Sequence, residues 1–130
     1  MNKKNILFFL LSLAGICLSA QEIEVKKGII LVDGKECLKI DKRDLNNISI
    51  ADLSGNDLVY LKYADDRFGK RYNTIVFVTT KSSLYTQQFI YTGKSLVKRL
   101  IENHVLENCQ FNDAKVENFI AKYGENVQLK

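Results

Sequence analysis

Apolar and polar residues alternate along most of this chain, and the alternation gives way to helical spacing toward its C-terminal end. A period of two marks strands with one buried face; a period near 3.6 marks amphipathic helices. The clearest turn is Asp33-Gly34. A type I′ hairpin needs positive φ at both central residues, which Asp and Gly adopt at low cost. Its predicted arms are residues 28–32, with the apolar run Ile29, Ile30, Leu31 and Val32, and residues 35–41, where Leu38 and Ile40 alternate with Lys39 and Asp41. Upstream, residues 21–27 alternate Ile23 and Val25 with charges and predict a strand, with Gly28 at a bulge or kink. Residues 41–47 read as a charged connection. A second hairpin pairs 48–53 with 57–63 around Ser54-Gly55-Asn56. Residues 64–72 read as a polar loop, and a third hairpin pairs 73–80 with 84–91 across Lys81-Ser82-Ser83.

The period then changes. Leu96, Val97, Leu100, Ile101, His104 and Val105 fall on one helical stripe, with Thr92 as N-cap and Tyr91 with Leu96 as a hydrophobic staple. A second helix is expected over 113–123, capped by Asn112, striped by Val116, Phe119, Ile120 and Tyr123, and closed by Gly124 at the C′ position. Strands first and helices last predict an α+β fold. The expected architecture is an antiparallel meander of about six strands followed by two C-terminal amphipathic helices packed on one face.

Residues 1–20 read as a secretory signal peptide: Lys3 and Lys4, then a mostly apolar run over 6–17, then the small residues Ser19 and Ala20. That run of 12 residues is too short to cross a hydrocarbon core, which takes about 20. Cleavage is expected near Ala20. Lipidation at Cys17 is disfavoured, because Ile16 stands where a small residue is needed. The remainder, 21–130, is one domain by length, and no transmembrane segment is expected in it. Its 17 basic and 15 acidic residues leave a net charge of +2. That balance, with export, argues against nucleic acid as a partner.

No stretch carries a strong catalytic pattern. Thr92-Gly93-Lys94-Ser95 follows a predicted strand and opens a helix, as the end of a phosphate-binding loop does, but Gln88 stands where that loop needs its first glycine. His104 is the sole histidine and lies in the apolar stripe, which predicts a packed structural side chain. Cys37 and Cys109 are the cysteines of the exported portion, and two readings stay open. An exported chain with an even count favours a disulfide. Yet Cys37 alternates with Lys35 and Lys39, opposite to Leu38 and Ile40, which favours two separate thiols. Asp65-Asp66 sits among Arg67, Lys70 and Arg71 and reads as a locally paired loop. Residues 52–57 resemble a calcium loop only faintly, since glycine and glutamate are out of register. Asn47-Ile48-Ser49 is a formal glycosylation sequon. No metal and no cofactor is expected. The loop 64–72 is the expected contact surface, through Arg67, Phe68, Lys70, Arg71 and Tyr72.

The leader, with its KKN, SLAG and SAQE stretches, resembles those of small exported proteins of Bacteroidetes-type bacteria. KGIILVDGKECLKID, ISIADLSGNDLVYLKY and VENFIAKYGENV together resemble an uncharacterised group among them. The resemblance implies periplasmic or outward-facing residence and no activity. The expected function is a non-catalytic module that binds a protein or cell-envelope partner. The alternatives are an inhibitor or immunity-type protein directed at an enzyme, and a small hydrolase or thiol enzyme using His104 or a cysteine.

Overall fold

The computed structural model describes residues 21–130, so the signal peptide expected over 1–20, Cys17 included, lies outside the described residues. Seven strands form one open antiparallel sheet: β1 (Ile23–Lys26), β2 (Ile29–Val32), β3 (Lys35–Asp44), β4 (Asn47–Ala51), β5 (Asp57–Asp65), β6 (Arg71–Phe77) and β7 (Ser82–Thr86). Each strand lies beside its neighbours in sequence, so the meander is as expected, with one strand more. The extra strand comes from Lys27-Gly28, with φ of 50° and 78°. This is a second turn with positive φ at both central residues, one hairpin before Asp33-Gly34 (53° and 79°). Gly28 is therefore a hairpin turn, not a bulge. The charged connection over 41–47 is likewise a hairpin, with β3 running to Asp44 and only Leu45 and Asn46 left at its tip.

The register lines up the apolar rows. Ile50, Val59 and Phe77 face one another across β4, β5 and β6; Ile48, Leu61, Ile75 and Leu84 do so one step along. These residues are buried in one cluster with Ile30 and Leu38. To it are added Leu96, Val97 and Leu100 from α1 (Gly93–Glu102), and Val116 and Phe119 from α2 (Val116–Tyr123). Thr92 caps α1 as expected, through a reciprocal pair in which its hydroxyl accepts from Ser95 N–H and Ser95 Oγ accepts from Thr92 N–H. Asn112 caps a short 3-10 turn, Asp113–Lys115, that precedes α2.

Three expectations fail at element ends. The first helix stops at Glu102, because Asn103 turns its amide back onto Arg99 C=O and His104 takes a φ of 60°. His104 is thus off the helix and exposed, not packed in its stripe. Gly124 does not adopt the left-handed C′ conformation; its φ is −64°. It is needed for space, since a Cβ there would come within 2.7 Å of Ile120 C=O. Strand β7 ends at Thr86 and not at Tyr91, because Glu125 intervenes: its N–H donates to Tyr85 C=O at 2.9 Å and its carboxylate accepts from the N–H groups of Gln87 and Gln88. The C-terminal segment thereby covers this edge of the sheet.

Cys37 and Cys109 are joined in a disulfide with Cα atoms 5.2 Å apart. The facing argument against it assumed regular alternation. Pairing between β2 and β3 steps from Ile30↔Leu38 to Leu31↔Glu36, so Cys37 is the extra residue of a bulge. Cys37 and Leu38 are consequently both buried. The other cysteine sits in the tight turn of a small hairpin, β8 (Leu106–Glu107) and β9 (Gln110–Phe111), where Asn108 and Cys109 have φ of 49° and 62°. The bridge spans 72 residues of sequence.

Asn73 joins the sheet to the helical part of the chain. It is fully buried on β6; its Oδ1 accepts from Tyr91 N–H at 2.6 Å, and its amide donates to Lys62 C=O at 3.3 Å. Tyr63 Oη donates to the carbonyl of the same Tyr91 at 2.6 Å. Replacing Asn73 with Ala strands a buried N–H group, so we expect a loss of about 1–3 kcal/mol in a urea titration. An unchanged midpoint would show that Tyr91 is held by packing alone.

Candidate binding surface

In a meander, alternate turns share one end of the sheet. The turns at Lys27-Gly28, at Leu45-Asn46 and at 66–70 lie at one end, together with the segment 87–91 that leaves β7. This end carries exposed apolar side chains: Leu45 is 94% exposed, Phe68 78%, Phe89 47% and Ile90 39%. Such side chains gathered at one end of a small domain stand out against scattered single exposures.

The end is held by polar groups. Asp66 is buried, and its carboxylate accepts from Phe68 N–H at 2.9 Å, from Lys70 N–H at 2.8 Å and from the Gln87 side-chain amide at 2.8 Å. Hydrogen bonds from Gln87, then from the Lys70 backbone, hold its pKa below the usual carboxylate value. Gly69, with a φ of 80°, allows the turn. Arg71 ties this tip to the next one, donating to Asn46 Oδ1 at 2.9 Å while its guanidinium lies 5.4 Å from the Tyr63 ring centre. Arg67 N–H donates to Gln128 C=O, which adds the C-terminal segment to the same end.

The stretch expected as a loop over 64–72 is therefore mostly strand, with β5 reaching Asp65 and β6 starting at Arg71. Of the five candidate contacts, Arg67, Phe68 and Lys70 lie exposed on the turn. Arg71 is turned onto Tyr63 and Asn46, and Tyr72 stacks edge-on against Tyr85 at 5.8 Å on the face opposite Asn73. Leu45, Phe89 and Ile90 were missed. Leu45 was legible as a lone apolar residue inside the charged run 41–47. Phe89 and Ile90 were hidden in a strand that ends early.

Arg99 fills an aromatic box behind this end. Its guanidinium carbon lies 4.7 Å from the Tyr123 ring centre, 5.7 Å from Phe89 and 5.9 Å from Tyr91. Burial pushes the Tyr91 phenol up. Burial opposes the shift at Tyr123, yet hydrogen bonds involving Arg99 and Asn103 bring that phenol down.

The other candidates are not assembled into a site. His104 is exposed, with Nδ1 3.4 Å from a Glu107 carboxylate oxygen. Asp65 faces Arg71 at 3.7 Å while Asp66 serves its turn. Asp52 accepts from Asn56 N–H and Nδ2 at 2.9 and 3.0 Å and so closes its own hairpin. Gly93 is buried against Ile40, whose Cδ1 would have to move to admit a Cβ there. The Asn47 amide donates to Asp44. Among the described residues, no group of three or more His, Cys, Asp or Glu side chains could hold a metal ion, and no helix is long and apolar enough to cross a membrane. Compared with known proteins, the chain matches no family model, no curated protein and no solved structure.

The Asp66 network gives a pH dependence with a definite sign. A carboxylate whose pKa is lowered on folding stabilises the protein above its unfolded pKa of about 3.9, and that contribution is lost as pH falls through the folded value. Asp66→Asn is therefore expected to be less stable than the native protein at pH 7, with the gap closing as both are titrated toward pH 2. Thermal melts across that range check it; a constant gap would contradict it.

Proposed function

We propose that this chain is a small exported domain without catalytic activity that binds a protein or cell-envelope partner through the exposed end of its sheet. The observation that carries the reading is the rim of Leu45, Phe68, Phe89 and Ile90 beside Arg67 and Lys70. Aromatic and Arg side chains dominate binding hot spots, and functional residues concentrate on turns set by a rigid scaffold. The leader pattern and the resemblance to small exported Bacteroidetes-type proteins support residence in the periplasm or outside the cell. In this reading both helices cover the apolar face that includes Ile50 and Ile75, and Leu45 and Phe68 are the most exposed large apolar side chains among the described residues. An inhibitor or immunity-type role is the same reading with an enzyme as partner.

The test is a pull-down from native envelope extract with the purified protein and with a Leu45→Ser, Phe68→Ser double variant. Both side chains are exposed, so folding is retained. The partner recovered by the native protein is expected to fall at least about tenfold with the variant, the size of one hot spot. Equal recovery would remove this end of the sheet from the account.

A further inference from the structure

We propose that the Cys37–Cys109 bridge is a redox-sensitive latch. A dithiol reductant, small or protein-borne, opens it in the folded protein by attack at Cys109. Opening frees the 107–110 tip of the β8–β9 hairpin while the seven-stranded sheet stays folded. The bridge joins separate parts of the structure: Cys37 lies on β3 of the large sheet, and Cys109 in the turn of the small one. Among the described residues, β8 and β9 pair only with each other. A lone two-stranded hairpin is marginal in water, so this one depends on what else holds it. Val105 and Leu106 are buried and Phe111 packs on the core, which fixes the base. Asn112 N–H also donates to Val105 C=O at 2.7 Å. Beyond the base, Glu107, Asn108 and Gln110 are exposed. The side-chain ties of this tip are the bridge and the exposed pair of His104 and Glu107, 3.4 Å apart, which solvent screens.

The turn does not hold the tip by its own preference. Asn108 and Cys109 have φ of 49° and 62°. A two-residue turn with positive φ at both positions favours Asn followed by Gly. Here a cysteine stands at the glycine position, and a residue with a Cβ is disfavoured in the left-handed region. With the bridge broken, Cys109 is free to leave that conformation. The two cysteines also differ in access. Cys37 is 3% exposed, whereas Cys109 is half-buried. Both line a groove of about 1000 Å³ together with Leu53, Ile101 and His104, among others. A thiol in this groove meets the bridge at Cys109.

The step is thiol–disulfide exchange. A thiolate of the reductant attacks Cys109 Sγ. The bond between the two Sγ atoms breaks as a mixed disulfide forms, and Cys37 leaves as a thiolate that takes a proton from water. The second thiol of the reductant loses its proton, attacks the mixed disulfide and releases Cys109, which is protonated in turn. The bridge gains two electrons and two protons, and the dithiol closes to its own disulfide. Nothing in this step depends on the partner surface at the other end of the sheet. It needs the export reading only for the bridge to form in the cell.

The experiment treats the purified, oxidised protein with dithiothreitol at mildly alkaline pH and follows both free thiols and amide hydrogen exchange. The expected reduction rate barely changes with low urea, because urea accelerates steps in proportion to the surface they expose. After reduction, exchange at the amides of Glu107 and Gln110, the pair that closes the hairpin, is expected to quicken about tenfold or more, while Ile50 and Ile75 keep their protection. With glutathione in place of dithiothreitol and an acid quench, the mixed disulfide is expected on Cys109. A reduction rate that climbs with urea as steeply as global unfolding would overturn the proposal, by showing that the bridge opens only in the unfolded chain. Glutathione on Cys37, unchanged exchange at the tip after reduction, or loss of protection across the sheet would each overturn it as well.

Discussion

The join between sheet and helices rests on one buried amide. Asn73 and Tyr63 hold the backbone of Tyr91 from both sides, and everything after β7 starts from that point. Tyr91 leads directly into the Thr92 cap, so the clamp sets where α1 begins. The helix then descends close to the sheet at Gly93, against Ile40. Its Arg99 returns to the Tyr91 and Phe89 rings, which orients Phe89 at the exposed end. A buried polar group with all its partners satisfied specifies one arrangement more sharply than an apolar contact does, because the unsatisfied alternative is costly.

The same logic runs through the end of the sheet. Asp66 organises the 66–70 turn and reaches Gln87; Arg71 connects that turn to Asn46; Arg67 N–H binds the C-terminal segment. These bonds link turns that are distant in sequence. The apolar side chains at the tips therefore stand on a connected frame. At the far end the Cys37–Cys109 bridge fastens the β8–β9 hairpin to β3. Closing a loop of this length restricts the unfolded chain by about 4 kcal/mol in the chain-entropy account.

Much of this was legible in the pattern of residues. Strand alternation, the Asp33-Gly34 turn, the Thr92 and Asn112 caps and the change of period all predicted elements that the structure contains. The failures have physical causes. The Lys27-Gly28 turn was hidden because Lys rarely takes positive φ. The side of the sheet reached by Cys37 depends on a bulge, and one extra residue reverses every facing argument beyond it. The end of β7 is set by Glu125, which lies far along the chain. The candidate surface was half legible. Phe68 and Arg67 announced themselves as an aromatic and a cation in a polar stretch, whereas Phe89 and Ile90 became visible only once that strand was seen to end at Thr86.

The central claim is that the exposed end of the sheet is a preformed surface. Backbone 15N relaxation of the purified protein tests it most directly. A preformed surface requires order parameters near 0.85, those of rigid backbone, for the amides of Asn46, Phe68, Lys70 and Ile90. Values below about 0.6 at these positions would describe mobile tips and would contradict it.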